Sequence, residues 1–189
     1  MALVITDAPS EELLDVEVAK RHLRLFDNSL DDEVAQLIRA SRDYCERWTS
    51  RTLRKSTTRT LTLDGWWSTE QKLPWPPLIA VTGIAYYDED NASQTLSGAN
   101  YVVELSTDGG GRIVWAADAE LPSVYSRPDA ITITFTAGYA SADALPPVAL
   151  QAMKTKITEM YGAGTENEVR AAMSATDRLL GLIDWTEYV

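Results

Sequence analysis

DDEVAQLIRASRDYCERWT, residues 31–49, is the stretch that decides the fold. Val34, Leu37, Ile38, Ser41, Tyr44, Cys45 and Trp48 recur at spacings of three and four, an apolar stripe at the helical period. Arg39, Arg42, Asp43, Glu46 and Arg47 fall on the other faces. Ser29 stands where a hydroxyl can accept a bond from a first-turn N–H. Asp31, Asp32 and Glu33 come next, where the helix dipole favours negative charge. The spacing predicts a helix capped at Ser29 and ending near Thr49 or Ser50.

Upstream, DVEVAKRHLRL (15–25) reads as a shorter helix. Asp15 is placed to cap it, and Val18, Ala19, His22 and Leu25 share one face. The pattern breaks at Asp27-Asn28-Ser29. Downstream, from Arg54 to Ala137, Thr, Val, Ile, Tyr and Trp dominate and Gly, Pro and Asn punctuate short runs, which is strand-and-turn chemistry. Strands are expected at Thr57–Leu63, Ile79–Tyr87, Tyr101–Leu105, Arg112–Trp115 and Ala130–Phe135. The run ITITF puts Ile131, Ile133 and Phe135 on one face and Thr132 and Thr134 on the other. Asp88–Asn91 and Asp108–Gly111 read as hairpin turns.

Helical spacing returns at Pro147–Tyr161. Pro146 and Pro147 suit a helix start, because the missing N–H would be unpaired there anyway. Val148, Ala149, Ala152, Met153, Ile157, Met160 and Tyr161 make its stripe, interrupted by Lys156. Gly162 and Gly164 stop it. A last element, Ala175–Trp185, carries Leu179, Leu180, Leu182, Ile183 and Trp185. The predicted packing residues are Leu23, Val34, Leu37, Ile38, Tyr44, Trp48, Met153, Ile157 and Met160.

Composition narrows the function. With 189 residues, 45% apolar and 24% charged, the chain is long enough to build a sizeable core. No apolar run nears the length of about 20 residues that spans a bilayer. The start, MALVITDAPSEELLD, is acidic and lacks the basic and apolar regions of a signal peptide, so work in the compartment of synthesis is expected. The formal charge is −11, and Arg is dense only between Arg39 and Arg59, amid acids. Tight nucleic-acid binding needs clustered cations and is not expected. An acidic surface lets DNA pass without sticking.

Catalytic chemistry has little to stand on. One cysteine and one histidine cannot supply the usual zinc ligands. Cys45 reads as a buried small apolar residue. His22 reads as a structural residue on the inner edge of the first helix rather than a general base. Asp108-Gly109-Gly110-Gly111 lacks the Gly-Lys-Ser/Thr of a phosphate loop, and Asp88–Asn91 lacks the ligand spacing of a calcium loop. No cofactor and no metal is expected. The apolar C-terminus must pack on something. It either closes the protein's own core or serves as an arm docking into a neighbour, and the residues alone leave both open.

The order of these features resembles the head–tail connector (adaptor) proteins of tailed phages and prophages. VAKRHLRL (18–25) is similar to that family's A-K-x-H-L-R opening helix, and residues 31–49 to its second helix. Arg51-Thr52-Leu53 resembles its exit, LPWPPLIAV (73–81) its proline-rich approach to a strand, and Tyr86-Tyr87-Asp88 and Asn100-Tyr101 its subsequent strand motifs. ITFTAGY (133–139) is similar to V-x-F-x-A-G-Y, and Leu145–Tyr161 to the closing helix. Asp143-Ala144-Leu145 departs from the usual residues before the prolines, and the tail after Gly164 matches nothing in the pattern.

The resemblance implies an α+β fold with a mainly helical connector core, three helices plus a C-terminal helical segment, and a β-rich insertion between the second and third helices. It implies a single domain over 1–189, with the helical core at 15–50 and 146–162, the insertion at 54–138 and an arm at 163–189. It further implies a non-enzymatic structural subunit of the virion neck, made in the host bacterial cytoplasm. Such subunits form a homo-oligomeric ring, usually of twelve copies, below the portal protein and above the next neck or tail protein. DNA passes through the lumen without specific binding, and no membrane is involved. Leu179, Leu180, Ile183 and Trp185 are the candidate portal-docking residues. The alternatives are another neck or tail role (head-closure or tail-terminator) and, from a different class, a small-molecule binder or enzyme.

Overall fold

The structure, a computed structural model, describes residues 2–5, 12–54, 57–106, 110–162 and 175–183. Contacts divide the chain into two compact units. One comprises Met1–Ala8 and Ser56–Gly138, the other Pro9–Lys55 and Tyr139–Val189.

The first unit is built of strands. Its five-stranded antiparallel sheet runs in the order β1 (Ala2–Ile5), β2 (Thr57–Leu63), β8 (Ile131–Ala137), β4 (Leu78–Tyr87), β5 (Ser93–Thr95). A three-stranded antiparallel sheet runs β3 (Glu70–Leu73), β7 (Gly111–Trp115), β6 (Tyr101–Leu105). β8 is the central strand of the larger sheet, and its alternation is realised in full. Ile131, Ile133, Phe135 and Ala137 are buried while Thr132, Thr134 and Thr136 lie half-buried on the opposite face. Leu61 faces Ile133 and Arg59 faces Phe135 across the β2–β8 ladder. With Leu73, Leu78, Ile84, Leu96 and Ile113, the apolar residues of β2 and β8 make the unit's own hydrophobic core. Gly111 is required there: a Cβ at that position would run into the Leu78 side chain.

The second unit holds α1 (Val16–Leu23), α2 (Asp31–Thr49), α3 (Pro147–Tyr161) and a helical segment at 175–180. The first three helices pack pairwise. Val34, Ile38, Cys45, Ala149, Ala152, Met153, Ile157 and Leu180 are fully buried together, and Leu23, Leu37, Tyr44 and Trp48 pack against them. Asp15 caps α1, accepting from the N–H groups of Glu17 and Val18. Arg24 ends that helix in the left-handed conformation, φ 60°.

The architecture corrects the expected fold class. The chain does not have a mainly helical core carrying a β insertion. It is a β-rich α+β protein whose strands form two sheets around a core of their own. Nor does the β-rich unit lie only between the second and third helices, because β1 precedes α1 and pairs with β2 from Ala2–Thr62 to Ile5–Arg59. The physical reason is the edge of β2, whose backbone groups need partners that a distant, short segment supplies.

Three smaller expectations also change. Ser29 does not cap α2; the cap position is Leu30, without a side-chain bond, and the Ser29 hydroxyl donates to Asp27 instead. Met160, expected in the core, is 38% exposed. Arg42 and Glu46, expected on outer faces of α2, are buried.

Candidate functional site

The buried charges come first, since a charge in a core is where function or specificity often sits. On α2, Arg42 and Glu46 are one turn apart, and the Arg42 guanidinium donates to Glu46 at 3.2 Å. Arg42 also donates to both carboxylate oxygens of Glu12, at 2.7 and 3.1 Å, and to Asp43 at 2.9 Å. Glu46 accepts further from the Leu53 N–H at 2.8 Å and from the Arg54 guanidinium. The carboxylate thus ties the end of α2 to the chain that leaves it. Each of these charges has a partner of opposite sign, so the network is a structural clamp.

His22 is the one histidine. Its Nε2 lies 3.0 Å from the Thr158 hydroxyl, linking α1 to α3. Partial burial, and then the nearby Lys154 ammonium, lower its pKa. It is more exposed than an inner-edge position implied. Cys45 is fully buried, and burial pushes its thiol up to about 12, leaving no thiolate for chemistry near neutral pH. Among the described residues no group of three or more His, Cys, Asp or Glu is arranged to hold a metal ion. No helix of the described residues is long and apolar enough to cross a membrane.

The candidate docking residues belong to the 175–180 segment and the chain beyond it. Leu180 is fully buried in the core of the helical unit, and Leu179 and Ile183 pack against that core half-buried. The Tyr44 hydroxyl donates to Asp177 at 3.2 Å, fixing the segment to α2. Leu182 points outward, 72% exposed. Trp185 lies outside the described residues.

Two surfaces are not apparent from the sequence. One is an aromatic cluster in the β unit. Trp67 and Trp115 stack with ring centres 4.1 Å apart, and Trp66 meets both edge-on and tilts against Tyr86 at 5.6 Å. The Trp66 indole N–H donates to the Pro122 carbonyl. Beside the cluster is an open groove of about 460 Å³, walled by Tyr86, Leu96, Leu121 and Pro122 with Asn100 and Glu120 among its polar lining. The adjacent Trp66-Trp67 pair is the only signal in the sequence, but adjacent residues on an extended chain point opposite ways and do not announce a shared cluster. The other is Phe26, at the turn between α1 and α2, which is 94% exposed. Its signal is a large apolar residue placed after a completed helix, outside any periodic stripe.

No family model matches the chain, and no curated protein matches it. Solved structures do. The chain is similar to one in the neck of an empty gene transfer agent (GTA) particle, computed with C6 symmetry, at 26% identity, with 95% of each chain covered and a TM-score of 0.74. A chain of the virion of the native gene transfer agent particle is 28% identical, with 95% of each covered and a TM-score of 0.71. A chain in the neck of the native GTA particle, computed with C12 symmetry, is 26% identical over 95% of this chain and 94% of that one, with a TM-score of 0.71. Carried over nearly the whole length of both chains, this likeness makes the protein a structural, phage-type component of the virion neck.

Proposed function

We propose that the chain is a head–tail connector (adaptor) subunit, a single connector domain built from the two compact units, which forms a ring between portal and tail and does no catalysis. The observation that carries this reading is the likeness, over nearly the whole chain, to neck chains in structures computed with C6 and C12 symmetry. The motif order from Val18 to Tyr161 supports the adaptor role within the neck. The charge of −11 supports a lumen that DNA crosses without sticking. Of the candidates Leu179, Leu180, Ile183 and Trp185, those proposed to meet the portal are Leu179, Ile183 and Trp185, because Leu180 is seated in the helical core.

The test is the mass of the purified protein by light scattering, alone and mixed with its portal. A discrete ring, or a monomer that joins the portal as a defined complex, is expected. A monomer indifferent to portal at high concentration overturns the reading. Trp185→Ala is expected to weaken the portal complex while leaving the circular dichroism spectrum unchanged. An undiminished complex removes the docking role from this segment.

A further inference from the structure

Resting on the reading of the chain as a ring-forming neck subunit, we propose that Phe26 of one copy seats in the groove of Tyr86, Leu96, Leu121 and Pro122 on the next copy and anchors the contact that closes the ring. Phe26 is 94% exposed, yet the loop that carries it is tightly built. The Leu25 N–H donates to the Lys20 carbonyl at 2.9 Å, and the Ser29 N–H donates to Asp27 at 2.8 Å. The buried Lys20 ammonium reaches Asn28 at 2.6 Å and Asp31 at 2.7 Å, closing the loop from beneath. An aromatic side chain held outward on a preordered loop loses little further freedom on binding, which is what an interface anchor needs.

The groove has room for this occupant. Its 460 Å³ exceeds a phenyl ring, and Tyr86, Leu96, Leu121 and Pro122 give it an apolar side, while Thr95, Ser97, Asn100 and Glu120 make the other side polar. Leu121 is itself 37% exposed. The flanking charges are complementary. Arg21, Arg24 and Asp27 are exposed near Phe26 along the chain and leave a net positive charge there, while Asp118 and Glu120, both exposed, stand near Leu121 and leave a net negative one. In a chain of charge −11, that local match offsets the repulsion between copies and orients their approach. Two different patches of one chain make a heterologous contact, the kind that generates rings. The cyclic symmetry with which the necks that hold the similar chains were computed fits this geometry. One phenyl ring covers far less than the roughly 1,200–2,000 Å² of a stable interface, so Phe26 is the anchor within a larger contact.

The experiment pairs assembly with cross-linking. Phe26→Asp and Leu121→Asp, each at an exposed position, are expected to keep the wild-type melting temperature and to weaken ring or portal-bound assembly by about thirty-fold or more, the scale of an interface hot spot. Phe26→Leu is expected to retain assembly. The double variant Phe26→Cys, Leu121→Cys, treated with a mild oxidant, is expected to give a ladder of covalent multimers, while either single variant gives none above background. Cys45, fully buried, stays out of the reaction. If the wild type assembles, both Asp variants assemble equally well and no ladder forms, the anchor is overturned and the connector reading stands. If the wild type assembles neither alone nor with portal, the connector reading falls and takes the anchor with it.

Discussion

The two units solve the same problem, burying the inside of a small domain, by different means. The β unit relies on alternation: every second residue of β8 turns inward, and the core is chiefly Ile, Leu and Phe. Its buried cation, Arg59, lies over the Trp75 ring, 5.2 Å from its centre. The helical unit carries a stripe of similar quality but adds a charged clamp, Arg42–Glu46–Arg54, at the end of α2. The contrast teaches that burial alone does not identify what stabilises a unit. A hydrophobic wall loses strength when a side chain is shortened; a buried ion network loses it when one charge is left without its partner.

Matched truncations make the sharpest test of that contrast and carry the largest effects. Phe135→Ala is expected to cost about 3–5 kcal/mol through loss of contacts and an unfilled cavity. Glu46→Ala is expected to cost about 3–5 kcal/mol as well, because Arg54 stays buried with only Asp43, 3.6 Å away, opposite it and the Leu53 N–H loses its acceptor, while Arg42 keeps Glu12 and Asp43. Urea denaturation followed by tryptophan fluorescence measures both. The two losses differ in how they can be repaired. Replacing Arg42, Glu46 and Arg54 together by apolar residues of similar volume, with Glu12→Gln to remove the carboxylate that Arg42 pairs, should recover most of the stability, whereas no second substitution at the clamp should rescue Phe135→Ala. If the combined replacement is no better than Glu46→Ala, the clamp is not a compensated charge network.

Smaller effects probe the edges of each unit. Gly111→Ala is expected to cost about 1–3 kcal/mol, since the new methyl must push Leu78 from its place in the β core. The same denaturation curves read it, and an unchanged midpoint would mean that Leu78 repacks freely. Asp15→Ala is expected to cost about 1 kcal/mol by releasing the two N–H groups it caps on α1. Asp15→Ser, which can still accept those bonds, should restore most of that loss.

Cys45 gives the smallest effect near neutral pH and a distinctive one above it. Its thiol is raised from 9.0 to about 12 in the folded state, chiefly by burial. Only the unfolded chain releases that proton between those values, so this contribution to stability is intact below pH 9 and declines as pH rises toward 12. Cys45→Ala should flatten that alkaline decline. At a pH of about 8, just below the ordinary thiol pKa, the native protein should resist alkylation and react once unfolded. Rapid native alkylation would mean that the helical core opens readily.

Much of the fold is legible in the chain itself. α2 runs over Asp31–Thr49 and α3 over Pro147–Tyr161, and strands β2 and β6 match their expected bounds. Each carries enough periodic apolar residues or strong boundary residues to declare itself. Hidden from such a reading are β1, β3 and β5, which have three or four residues each. Such short strands show no period; they exist because a neighbouring edge offers hydrogen bonds. Lys156 interrupts the apolar stripe of α3, but it lies buried with its ammonium 2.7 Å from Glu159 and over the Tyr44 ring at 3.7 Å. A long side chain can run along an apolar face while its charge finds partners at the end. Of the candidate docking residues, the apolar character of Leu179, Leu180 and Ile183 was plain, but which of them turns into the core is set by the helices they meet.

The sequence by itself determined the helical stripes, the alternation of β8, the acidic balance and the motif order that pointed to a phage neck. These are properties of neighbours along the chain, set by side-chain spacing and backbone preference. Only the tertiary structure decided that the strands have a core of their own, that Ala2–Ile5 joins their sheet, that Arg42 and Glu46 turn inward, and that Phe26 stands exposed. Each of those depends on which distant residue supplies the missing hydrogen bond, opposite charge or apolar wall, and no local pattern encodes that partner.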